Sequence, residues 1–67
     1  MTERELYSYC DKNIVVYLNN KNVIQGFCCI FTKALDNEPE IASICIENSE
    51  GELIEVYLNE IKSIEVI

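Results

Sequence analysis

Histidine and tryptophan are absent from this chain of 67 residues, proline occurs once, glycine twice, and basic residues number only five. Without histidine the chain lacks the one side chain whose ordinary pKa lies near neutrality. A general acid or base would have to be a carboxylate or thiol displaced by burial, and a nucleophilic cysteine would need an adjacent cation or base that the sequence does not supply. The length excludes a dinucleotide-binding domain or a β/α barrel. A non-enzymatic protein is expected, with no catalytic residue and no cofactor. A zinc site is not expected either, because there are neither paired C-x-x-C knuckles nor histidines. Asp36, Glu38 and Glu40 alternate like the start of a calcium loop but lack the glycine and distal glutamate of an EF-hand, so they read as a solvated acidic loop. No run approaches the roughly 20 apolar residues of a membrane span. The start shows no charged segment leading into an apolar stretch and a small-residue cleavage site, so a cytoplasmic location is expected.

Hydrophobic residues make up 49% of the chain, too many for a disordered segment even at a net charge of −7. A single domain spanning residues 1–67 follows. A core this small leaves a narrow margin of stability, so support from self-association or a partner is expected. The four cysteines, Cys10, Cys28, Cys29 and Cys45, lie in or beside apolar runs. They read as reduced thiols in or near the core rather than as a secreted disulfide framework.

The period of the apolar residues then divides the chain. Thr2 and Glu5 form a capping box, and Leu6, Tyr9 and Cys10 recur at helical spacing, which predicts a helix over about 3–11, with Asn13 at its left-handed exit. Ile14 to Leu18 is β-branched and aromatic, Asn19 to Asn22 is a turn, and Val23 to Thr32 is a second strand. Gly26 within that strand marks a sharp bend or bulge, where a side chain would collide with the neighbouring strand. Lys33 to Glu40 is a loop and Ile41 to Glu47 a strand with Ala42, Ile44 and Ile46 on one face. Asn48 to Gly51 is a turn with positive φ at Gly51, and Glu52 to Leu58 alternates with Ile54, Val56 and Leu58 inward. Asn59 to Ser63 reads as a helical turn and Ile64 to Ile67 as a last short strand. The expected core is Leu6, Ile14, Val16, Leu18, Ile24, Cys28, Ile30, Ala42, Ile44, Ile46, Ile54, Val56, Leu58, Ile61, Ile64 and Val66. The sequence thus predicts an all-β fold: a small five-stranded, strongly bent antiparallel barrel over about 13–67, preceded by the short helix.

Lys12, Ile14, Val15, Val16 and Leu18, the asparagine-rich turn, and Val23, Ile24, Gln25 and Gly26 resemble the first half of an Sm-like (LSm) domain, and more broadly an SH3-like barrel. The capped helix and the Leu58 to Ile67 tail fit the same layout. The resemblance implies a barrel that assembles into hexameric or heptameric RNA-binding rings. Two segments depart from that family. Phe31 is followed by Thr32 and an acidic loop where the family has an apolar-Asp pair and then an Asn that grips a base. Asn59 and Glu60 stand where the family has a basic signature. No RNA-contact residue is therefore carried over.

Charge weighs the same way. Residues 1–33 hold four basic and three acidic side chains, whereas residues 34–67 hold one basic and nine acidic ones. Phosphate recognition needs clustered cations, and Arg4, Lys12, Lys21, Lys33 and Lys62 are scattered. The expectation is a small binding or assembly module acting through self-association or a protein partner, along unpaired strand edges near Tyr57 and Ile64 to Ile67. Tyr7, Tyr17, Phe27, Phe31 and Tyr57 are the candidate interface residues. Two alternatives stand beside it: an RNA-binding ring, and an acidic mimic of nucleic acid built from Glu47, Glu50, Glu52 and Glu55 that occupies a basic partner.

Overall fold

A computed structural model describes residues 1–67, whose elements run α1 (Glu3–Tyr7), β1 (Asn13–Leu18), β2 (Val23–Thr32), β3 (Ser43–Glu47), β4 (Leu53–Tyr57) and β5 (Ile61–Val66). All five strands join one antiparallel sheet in the order β4-β3-β2-β1-β5. β4 and β5 are thus the two edges, yet only a 3-10 turn, Leu58–Glu60, connects them. The chain from Tyr57 to Ile61 can reach at most about 14 Å, whereas a flat sheet would hold its edges about 19 Å apart. The sheet must therefore bend until its two edges approach at this turn. Backbone bonds from Leu58 N–H to the Ala42 carbonyl (2.8 Å) and from Asn19 N–H to the Glu60 carbonyl (2.9 Å) fix that corner.

The core fills the inside of the bend with Leu6, Ile14, Val16, Cys28, Ala42, Ile44, Ile46, Val56 and Ile61. Leu18, Ile24, Ile54, Leu58 and Ile64 pack against it half-buried. Two expected core residues do not join: Ile30 is 51% exposed and Val66 54% exposed. Ile30 is displaced by a bulge. The β2–β3 register runs from Cys28 opposite Ile46 to Ile30 opposite Cys45, so Cys29 is an extra residue and every side chain beyond it changes face. Val66 sits at the end of an edge strand with no further strand to cover it.

Gly26 is not the bulge, but its close approach is as expected. A β-carbon there would lie 2.2 Å from the Glu47 carbonyl oxygen. Gly51 takes φ +81° in the β3–β4 turn, where Asn48 Oδ1 accepts from the N–H groups of Glu50 and Glu52. The other two positive-φ positions are Asp11 (φ 64°) and Lys21 (φ 74°) rather than the asparagines beside them, since Asn13 already belongs to β1 and Asn20 uses its side chain to hold the Asn22 N–H. β3 starts at Ser43, two residues later than expected. β5 starts at Ile61, earlier than expected, because the turn before it closes within three residues.

The helix is shorter than the predicted span of about 3–11. Ser8 returns its hydroxyl to the Glu5 carbonyl, and Tyr9 and Cys10 bond three residues back, to Leu6 and Tyr7, so the α-helical ladder stops at Tyr7. Its start is the capping box: the Thr2 hydroxyl accepts from Glu5 N–H (3.1 Å) and the Glu5 carboxylate accepts from Thr2 N–H (3.0 Å). The bond from the Thr2 backbone, then that with its side chain, holds the Glu5 carboxyl below its ordinary 4.5. The cap's contribution is therefore present above the ordinary carboxyl range and is lost as the pH falls through the depressed folded value. Thr2→Ala should cost about 0.5–1 kcal/mol and lower Tm by about 2–8 °C at neutral pH. Because the variant keeps the backbone N–H from which the Glu5 carboxylate accepts, the difference in Tm should shrink only slightly in acid, whereas Glu5→Gln should approach wild type there; calorimetry across about pH 3–7 checks both.

Candidate functional site

The geometry of an antiparallel ladder decides which edge groups are free. Opposed residues alternate between pairs that exchange both hydrogen bonds and pairs that exchange none. At the ends of β4, Asn48 N–H donates to the Glu52 carbonyl (3.0 Å) and Leu58 N–H to the Ala42 carbonyl (2.8 Å), which assigns Ile54 and Val56 to β3 and turns the backbone groups of Leu53, Glu55 and Tyr57 outward. The Tyr57 N–H is taken by the Glu60 carboxylate at 3.0 Å. Leu53 and Glu55 keep theirs. On β5, Ile67 N–H bonds the Asn13 carbonyl (2.9 Å), so Ser63 and Glu65 face β1 and the backbone groups of Ile64 and Val66 face outward. Each edge therefore carries a short row of unpaired donors and acceptors beside exposed aliphatic side chains, Leu53 on one and Val66 and Ile67 on the other.

The five aromatic candidates do not form one patch. Tyr7 and Phe31 meet edge to face, their ring centroids 5.2 Å apart at 73°, because α1 lies across the end of β2. Glu3 draws the loop after β2 onto the helix by accepting from Ala34 N–H at 2.7 Å. Arg4, Thr32, Lys33 and Asp36 complete an open groove around the two rings, and Tyr7 is 62% exposed within it. Phe27 lies at another end of the sheet, in a cross-strand row with Asn13, Glu47 and Leu53. Tyr17 stands beside β5, where hydrogen bonding to Glu65 and then that carboxylate's charge push its pKa up. Tyr57 ends the β4 edge, opposite Ser43.

Three features were not legible in the residue pattern. Ser43 is buried and polar, and it is satisfied on both sides: it accepts from Asn37 Nδ2 (3.0 Å) and donates to Glu55 Oε2 (2.9 Å). Leu53 lies within the alternating span Glu52 to Leu58, and only the sheet order shows it to be an edge residue. The cysteines are sorted by the bulge. All four are free thiols, with Cys28 buried and the other three half-buried. Burial, followed by the neighbouring Cys10, pushes the Cys28 thiol up to about 12. Burial also raises Cys10, against a hydrogen bond with Cys28 that lowers it, and raises Cys45, where the neighbouring Cys29 adds to the effect.

No cluster of three or more cysteine, aspartate or glutamate side chains is gathered as a metal-holding group. No helix is long and apolar enough to cross a membrane. The sheet and its single short helix define an all-β class of small domain. Beyond that class, no protein-family model, curated protein or solved structure matches the chain.

Proposed function

We propose that this domain is a non-enzymatic assembly module in which β4 of one copy pairs with β5 of the next. The observation that carries the reading is the pair of open edges: β4 and β5 end the same sheet, differ from one another, and each combines unpaired backbone groups with exposed aliphatic residues. Leu53 is 60% exposed and Ile67 67% exposed. Unlike edges that complement each other make a head-to-tail contact, which closes into a ring when the rotation allows. A sheet continued from copy to copy would cover both edges and enlarge the buried apolar area of a small domain.

Light scattering coupled to size exclusion tests it. The wild type at tens of micromolar (about the range where weak interfaces populate) should run as an oligomer. Leu53→Pro removes one of the two outward N–H groups of β4, and Val66→Pro one of those of β5, without touching a bond inside the sheet. Each variant should keep its circular dichroism spectrum and shift to smaller species. A wild type that stays monomeric would sink the proposal.

A further inference from the structure

The bulge at Cys29 separates two adjacent cysteines and gives each a different distant neighbour. Cys28 turns into the core, and its backbone N–H bonds the Lys12 carbonyl (2.9 Å) while its carbonyl accepts from Asp11 N–H (2.8 Å), which holds the turn carrying Cys10 against it. Cys29 stands on the other side beside Cys45, and its thiol donates to the Cys45 carbonyl at 3.4 Å. Cys10 is thus held against Cys28, and Cys29 lies beside Cys45.

We infer that Cys29 and Cys45 form a peroxide-reactive dithiol that closes to an intramolecular disulfide across β2 and β3. Cys29 is the bulge residue next to Ile30, which opposes Cys45, and its Sγ reaches to 3.4 Å from the Cys45 carbonyl oxygen, so the two residues lie side by side across the strands. Both residues are half-buried, so a small oxidant reaches them, whereas Cys28 is fully enclosed. One thiolate attacks an oxygen of hydrogen peroxide; the O–O bond breaks, a sulfenic acid forms, and the second oxygen leaves as water after taking a proton. The second thiol then attacks the sulfenic sulfur, the S–S bond forms and a second water leaves. Two thiols are oxidised by two electrons and one peroxide is reduced.

The chain's own lysines provide the readout. Trypsin should yield residues 5–12 with Cys10, residues 22–33 with Cys28 and Cys29, and residues 34–62 with Cys45. Reduced full-length protein, treated with stoichiometric hydrogen peroxide and then denatured and alkylated, should lose two of its four alkylatable thiols. It should give 22–33 joined to 34–62 with the loss of two hydrogens. Cys29→Ser and Cys45→Ser should each abolish the joined pair, and dithiothreitol should reverse it in the wild type. The inference is overturned if 22–33 joins 5–12 instead, if the joined pair survives Cys29→Ser, if a single cysteine is carried on to sulfinic acid without linkage, or if the disulfide links two chains. None of these outcomes depends on the edge pairing proposed above.

Discussion

Gly26→Val should abolish folding. A β-carbon at this position would sit 2.2 Å from the Glu47 carbonyl oxygen, 2.9 Å from its carbonyl carbon and 2.8 Å from Cγ2 of Ile46. Two of these three atoms are backbone of β3, so relief requires the β2 and β3 strands to separate rather than a side chain to rotate. The strands carry the centre of the sheet, and the Ile46 contact lies in the core. A domain of this size has roughly 3–10 kcal/mol of stability in total, and a clash relieved only by breaking a central ladder costs about 4 kcal/mol or more. Gly26→Ala should already lose most of its cooperative thermal transition, and Gly26→Val should show none. Gly51→Ala is the control with a different cause. Nothing lies within 4 Å of a β-carbon there, so only the torsional cost of φ +81° remains, about 1–2 kcal/mol. A dispersed amide spectrum and a wild-type melt for Gly26→Val would refute the close approach.

The asymmetry between these glycines shows how far the sequence could be read. A lone glycine in an apolar strand implies a close neighbour, because nothing else explains giving up a side chain there; that inference needs only local pattern. The span of β2, the inward face of Ala42, Ile44 and Ile46, and the positive φ of Gly51 follow from period and turn chemistry in the same way. The bulge does not. Phe27 to Phe31 is apolar on both sides of the strand, so alternation carries no phase there, and one extra residue shifts Ile30 outward without changing the composition of the run. The same loss of phase hid the sorting of the cysteines, whose partners are 18 and 16 residues away and are set by register alone. The edges were partly legible. The resemblance and the strand order placed them near Tyr57 and Ile64 to Ile67, but which backbone groups stay unpaired depends on hydrogen-bond phase along β4 and β5. The aromatic candidates failed to converge for a simpler reason: aromatic residues are placed on different strands by separate local packing needs, and only Tyr7 and Phe31 share one.

Ile44→Ala and Ile30→Ala should differ several-fold in cost, although both are isoleucines in adjacent central strands. Ile44 is fully buried on β3, between Phe31 of β2 and Val56 of β4, in the layer that also meets α1. Removing its three outer carbons leaves a cavity that the central strand cannot collapse, at about 3–4 kcal/mol. That corresponds to a fall in Tm of roughly 12–30 °C for a domain this small. Ile30 lies opposite Cys45 on the other face and is half in solvent, so its truncation should cost under about 1 kcal/mol. Without the extra residue at Cys29, strict alternation from Cys28 would place Ile30 in the core and make the two substitutions equally severe. Chemical denaturation of the two variants therefore reads the bulge directly. A large loss for Ile44→Ala with a small one for Ile30→Ala fits the shifted register, and equal losses would restore the unbroken strand.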